Sequence, residues 1–136
     1  MEKDKRDYIG AWLAKAEHDL KNASLILQAP DDDKPFDTVC FDCQQAAEKY
    51  LKAYLVFIDV LFPRTHNIAQ LLELGAVKDG ELHSLEATDA LTPYGADIRY
   101  PDDFYMPTGE EARKAQEYAL MMKNYVSRKM KSFFNS

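Results

Sequence analysis

Residues 43–57 constrain this chain more than any other stretch. Cys43, Ala47, Tyr50, Leu51, Tyr54 and Ile58 recur at helical spacing, and Gln44, Gln45, Glu48, Lys49 and Lys52 fill the positions between them. A period near 3.6 separates an apolar face from a polar one, which specifies an amphipathic helix. Nine residues after Phe57 stands His66, inside Pro63-Arg64-Thr65-His66-Asn67. This second segment is chemically loaded and lies at an expected helix start.

The rest of the chain extends the helical pattern. No segment alternates β-branched residues with period two, so strands are not expected. A first helix is predicted over residues 7–28, with Tyr8, Trp12, Ala16, Leu20, Ala23 and Leu27 as its apolar stripe. Pro30-Asp31-Asp32-Asp33-Lys34-Pro35 reads as a turn. The second helix is predicted over 37–61, stopped by Pro63. Thr65 is a candidate N-cap for a short third helix through Leu74, with His66 at its first position and Gly75 closing it. A fourth helix is expected over 80–91. Thr108-x-x-Glu111 is a capping box opening the last helix, whose stripe is Ala115, Tyr118, Ala119, Met122, Tyr125, Val126 and Phe133. Between them, residues 92–108 contain Pro93, Gly95, Pro101 and Pro107; irregular segments of such length in small domains are often functional. The expectation is an all-α, up-and-down antiparallel bundle of about five helices, three long and two short, forming a single domain over 1–136.

Composition narrows the function classes. With 136 residues, 46% of them apolar, and a net charge of -6, the chain suits one globular domain and argues against a broad basic nucleic-acid face. Lys123, Arg128, Lys129 and Lys131 cluster at the C-terminal end, where cations complement a helix terminus. The charged N-terminus lacks the apolar core of a signal peptide, and no run approaches the ~18 apolar residues of a membrane span. A cytoplasmic protein with no membrane association is therefore expected. Cys40 and Cys43 form a C-x-x-C without the βαβ context of a redox site or further ligands for zinc, and read as buried apolar residues. His18 and His83 read as surface residues. No metal and no cofactor are expected.

Three polar clusters are candidates for chemistry. Arg64, Thr65 and His66, beside a helix N-terminus, suit an anion such as phosphate, the alternative being a local cap. Tyr94, Arg99 and Tyr100, in Tyr94-Gly95-Ala96-Asp97-Ile98-Arg99-Tyr100-Pro101, suit a phosphate clamp with base stacking, the alternative being an Arg99–Asp97 pair that pins the loop. Gln44, Glu48, Lys49 and Lys52 form the polar face of the second helix. The default there is a solvated Glu48–Lys52 pair at i,i+4 spacing, with Lys52 retained as a ligand-binding candidate.

Taken together, these segments resemble a known family. Trp12-Leu13-x-x-Ala16-Glu17-x-Asp19-Leu20-x-x-Ala23 resembles the first helix of HEPN (higher eukaryotes and prokaryotes nucleotide-binding) domains. Cys40-Phe41-x-Cys43-Gln44-Gln45-Ala46-Ala47-Glu48-Lys49-x-Leu51-Lys52-Ala53 resembles the second. Thr65-His66-x-Ile68-x-x-Leu71-Leu72 and Ile98-Arg99-Tyr100-Pro101 follow in the family's order. The resemblance covers residues 8–130.

It implies a helical bundle, often a homodimer, that binds a nucleotide or acts with a small nucleotidyltransferase in a two-component or toxin–antitoxin pair. Alternatives are a metal-independent RNase toxin and a purely structural interaction module. RNases of the family carry an arginine, four to six residues, then a histidine. Here Arg64 stands only two residues before His66, and no other arginine has a suitably spaced histidine. The chain therefore leans away from enzyme, with Arg64 and His66 as the weak catalytic candidates. The ligand-binding candidates are Arg64, Thr65, His66, Tyr94, Arg99, Tyr100 and Lys52.

Overall fold

Helix α2 (Phe36–Phe57) is the axis around which the chain winds. The computed structural model describes residues 2–30, 33–95 and 105–134. From Val39 to Leu55, only Phe41, Gln45 and Lys49 reach partly to solvent, and every other side chain is buried. Those three residues lie four apart and form one narrow stripe. The amphipathic expectation is thus corrected: α2 is covered on nearly all sides, and Gln44, Glu48 and Lys52 are inside rather than solvated.

Helix α1 (Lys3–Gln28) packs antiparallel to α2, with Lys5 paired to Asp59 at 2.6 Å and Asp19 to Lys49 at 2.5 Å. Its buried residues are Ile9, Leu13, Ala16, Leu20 and Ala23. Their spacing alternates four and three, the seam of a helix pair. The expected stripe is corrected at its start. Ile9 and Leu13 face the core, whereas Tyr8 is 53% exposed and Trp12 half-buried beside it.

The end of α2 also differs from expectation. The helix finishes at Phe57, before Pro63 is reached. Asp59 adopts φ 60°, its N–H bonds the Val56 carbonyl at 3.1 Å, and the Val60 N–H bonds the Leu55 carbonyl at 2.8 Å. This is a Schellman closure with aspartate in the left-handed position more often taken by glycine.

Helix α3 (Ile68–Ala76) begins two residues later than Thr65 would place it. Asn67 is the N-cap, its side-chain oxygen accepting from the Gln70 N–H at 2.9 Å. Thr65 instead accepts from the Asn67 N–H at 3.1 Å and fixes the turn before the cap. His66 therefore precedes the helix. Gly75 does not close α3 but lies within it, where a Cβ would come 2.5 Å from Leu82 Cδ1 and 2.6 Å from Leu55 Cδ2.

The fourth element is a 3-10 helix, Gly80–Gly95, rather than the expected α-helix over 80–91. Leu82, Leu85, Thr88 and Leu91 are its buried residues. Their strict spacing of three suits three residues per turn, because side chains at i and i+3 then share one face. Pro93, which lacks an N–H, and the Thr88 hydroxyl, which donates to the Leu85 carbonyl at 2.6 Å, favour this winding.

Helix α4 (Gly109–Lys129) opens with the expected capping box, and α5 (Lys131–Phe134) adds a last turn. Antiparallel packing of α4 on α1 is fixed by Gln116 to Ser24 at 2.9 Å and Lys123 to Glu17 at 3.2 Å. Helices α2 and α4 run parallel, with Tyr54 edge-on to Tyr125 and Phe57 edge-on to Phe133. The 3-10 helix supplies the return path between them. At its start Asp79 accepts from Tyr54 and Tyr125, both at 2.5 Å. Near its end Tyr94 donates to Glu111 at 2.9 Å. The result is an all-α, up-and-down bundle with no strand among the described residues.

The crowding at Gly75 yields a stability prediction. Gly75→Ala gains about 1 kcal/mol of helix propensity, yet its methyl must displace two fully buried leucines. Overpacking of this kind costs about 1–3 kcal/mol, so urea denaturation is expected to show a net loss of stability. An increase in the midpoint would mean that Leu55 and Leu82 yield freely.

Candidate functional site

The middle of α2 carries a buried carboxylate with three hydrogen-bond donors. Glu48 Oε2 accepts from Lys52 Nζ at 2.8 Å, and Oε1 accepts from Gln44 Nε2 at 2.9 Å. His66 Nδ1 lies 2.9 Å from Oε1 and 3.1 Å from Oε2. The side chains of Glu48 and Lys52 are only 4% and 7% exposed, whereas that of His66 is 69% exposed. One helical face, residues 44, 48 and 52 at successive intervals of four, thus builds the floor, and the α2–α3 connection lays an imidazole over it.

Burial works against the charged form of Glu48, but hydrogen bonds from Lys52, Gln44 and His66 outweigh it and hold the carboxyl below its ordinary range. An ionised Glu48 only accepts, so Nδ1 of His66 carries the proton that faces it. The Nε2 edge then has no hydrogen-bond partner among the described residues. This carboxylate–imidazole arrangement fixes ring orientation and leaves one nitrogen able to accept a proton, or to donate to an anion once protonated.

Two further contacts set the height of the imidazole. Gln44 also reaches the His66 carbonyl at 3.4 Å, and Gln45 donates to Gln44 Oε1 at 2.7 Å. The backbone of Gly95 presses against Gln44, where a Cβ would lie 2.9 Å from its amide carbon. The end of the 3-10 helix therefore clamps the glutamine that holds both carboxylate and imidazole turn.

The structure brings some expected site residues together and separates others. Arg64 is exposed, with no ion-pair partner among the described residues, two positions from His66. Thr65 shapes the turn. Lys52 is spent on Glu48, with its ammonium 5.5 Å from the Trp12 ring centre and 5.7 Å from that of Phe62. Tyr94 belongs elsewhere: its hydroxyl is committed to Glu111, as is that of Tyr105. Arg99 and Tyr100 lie outside the described residues. Gln44 and Glu48, expected on a solvated face with Lys52, are buried and build the site, and Gly95 of the second cluster clamps Gln44. Their shared face is legible from the spacing of four, whereas its burial is not.

Other sequence candidates are structural. Cys40 and Cys43 are free and buried, and burial, the largest cause for each, pushes both thiols up to about 12, so neither is a thiolate. His18 and His83 are exposed. Arg128 and Lys129 pair with Glu81, and Lys123 with Glu17. Among the described residues no cluster of three acidic, histidine or cysteine side chains is placed to hold a metal. No described helix is long and apolar enough to cross a membrane.

The buried pair makes a double prediction. Glu48→Gln leaves Lys52 uncompensated and Lys52→Met leaves Glu48 uncompensated, each at a cost of about 3–5 kcal/mol. The double variant is expected to recover most of that loss in denaturant titration, because the uncharged Gln–Met pair leaves no buried ion without a partner. Strictly additive losses would show that the pair is not coupled. Because the Glu48 pKa is lowered by folding, its contribution is present above the unfolded value, about 4.3, and fades as pH falls through the folded value. Stability between pH 5 and 3 should therefore fall less steeply in the double variant than in the wild type.

Comparison with known proteins places this sequence in a family. No curated protein and no solved structure matches the chain. The sequence model of the HEPN domain matches residues 9–129, nearly the whole chain and every element that builds the Glu48–His66 site. The chain belongs to the HEPN domain family.

Proposed function

We propose that this protein is a nucleotide-binding HEPN module in which His66 and Arg64 take the phosphate. One observation carries the reading. An imidazole exposed to solvent is held by a buried, ionised carboxylate, with its second nitrogen and a neighbouring guanidinium both unpaired among the described residues. Maintaining a buried carboxylate is costly unless it is paired and hydrogen-bonded, and here part of that network serves a residue that contributes little to the core. Arginine and imidazolium together recognise phosphate oxygens through charge-assisted hydrogen bonds. Action beside a small nucleotidyltransferase, in a two-component or toxin–antitoxin pair, and assembly as a homodimer fit a module of this kind.

The Glu48–His66 alignment also favours a second reading, a metal-independent RNase. Such an enzyme needs a base for the 2′-hydroxyl and a cation for the developing phosphate charge, and His66 with Arg64 supplies both groups. The family's arginine–histidine spacing is absent, so binding is the first reading and cleavage the second.

Calorimetry with ATP, GTP and a short RNA separates the two. Binding is expected for at least one of them, with Arg64→Ala and His66→Ala each weakening it about tenfold, as for a lost charged hydrogen bond. Arg64 is exposed and its loss leaves the core intact, whereas His66→Ala also removes one donor from buried Glu48, so circular dichroism is used to confirm that this variant is folded. Affinity unchanged in both variants would reject the phosphate assignment. Incubation of RNA without metal tests the second reading: cleavage that persists in His66→Ala removes His66 from any catalytic role.

A further inference from the structure

We infer that the groove between the start of α1 and the α2–α3 connection is a nucleobase subsite, with Tyr8 and Phe62 as its flat walls. The inference rests on the phosphate reading of Arg64 and His66 and supplies the other half of the ligand. The groove has a volume of about 370 Å³ and is lined by Lys5, Tyr8, Asp59, Leu61 and Phe62 among others. Tyr8 is 53% exposed and Leu61 94% exposed. Single exposed apolar side chains are ordinary, but here they border one continuous concavity whose lining includes two aromatic rings, Tyr8 and Phe62.

The groove is physically joined to the imidazole site. Trp12 meets Tyr8 edge-on, ring centres 6.0 Å apart. The Lys52 ammonium stands over both Trp12 and Phe62, and the same ammonium binds Glu48, which holds His66. Phe62 precedes Arg64 by two residues and His66 by four. The latter separation is at most about 14 Å of chain, a span that the ring and phosphates of one nucleotide can bridge.

Charge selects among occupants. Aromatic walls commonly attract cations. The Phe62 ring in the groove and the neighbouring Trp12 ring already carry Lys52, and Lys5, which also lines the groove, is paired to Asp59. A cationic ligand would meet an existing ammonium. A neutral planar ring tethered to an anion meets flat apolar surface at one end and Arg64 with His66 at the other. Base stacking on such rings is tolerant of base identity, so the subsite sets ring against no ring rather than one base against another.

Trp12 is the single tryptophan of the chain and stands edge-on to Tyr8 of the groove, so its fluorescence reports the neighbouring subsite. The full chain is titrated with ATP, adenosine and tripolyphosphate, following both heat and Trp12 emission. ATP and adenosine are expected to quench Trp12, and tripolyphosphate to bind without quenching. Tyr8→Ala and Phe62→Leu are expected to weaken ATP and adenosine about tenfold while leaving tripolyphosphate unchanged; circular dichroism confirms that both variants are folded. If ATP binds no tighter than tripolyphosphate, Trp12 stays silent and both variants match the wild type, the base subsite is wrong and the phosphate site stands. If adenosine quenches Trp12 and loses affinity in Tyr8→Ala while tripolyphosphate gives no heat, the subsite stands and the phosphate assignment falls. Absence of binding by all three probes removes both.

Discussion

A helix covered on nearly every side must bring its own charge balance with it, and α2 does so through Glu48 and Lys52. The two ions lie four residues apart on one strand of backbone, so their separation is fixed as soon as the helix forms. Everything packed on that face is then chosen to suit them. Gln44 satisfies one carboxylate oxygen, Trp12 and Phe62 cover the ammonium, and Gly95 comes close enough that no side chain intervenes. The interior gains a defined register along α2 that uniform leucine packing would not impose.

The same balance explains why the imidazole is where it is. His66 lies outside helix α3, on a turn whose geometry comes from Thr65 and the Asn67 cap. Such a turn alone would leave the ring free to rotate. The Glu48 carboxylate and the Gln44 bond to the His66 carbonyl remove that freedom without burying the ring. Orientation is thus set from below, by the core, while the working edge stays in water. Functional groups on loops are commonly held this way by rigid scaffolds.

Much of this was legible in the sequence, and the failures have physical causes. The long helices, the Thr108–Glu111 capping box and the buried Cys40 and Cys43 follow from periodicity and cap chemistry. The polar face of α2 did not, because it contains two stripes of similar appearance. Residues 41, 45 and 49 and residues 44, 48 and 52 both run at intervals of four, and only the tertiary neighbours decide which one faces inward. The end of α2 was misplaced because an aspartate, not a glycine, takes the left-handed position. Asn67 outcompeted Thr65 as a cap, moving His66 off the helix and onto the carboxylate. The 3-10 helix is written in plain view as Leu82, Leu85, Thr88 and Leu91, a period of three that an expectation of a helix over 80–91 does not distinguish from one of 3.6.

That period of three also limits how the segment can vary. In an α-helix one added residue turns the following face by about 100°, which several rearrangements can absorb. Along Gly80–Gly95 one residue is a third of a turn, and the buried face is a single row. Adding or removing one or two residues would rotate Leu91 away from the core while Gly95 lost its place against Gln44. Whole turns of three residues are the only length changes that keep the row in phase. The segment therefore acts as a ruler with coarse divisions: it meters the distance between the Asp79 anchor and the Gln44 clamp, and lineages of this chain should differ there by substitution far more readily than by length.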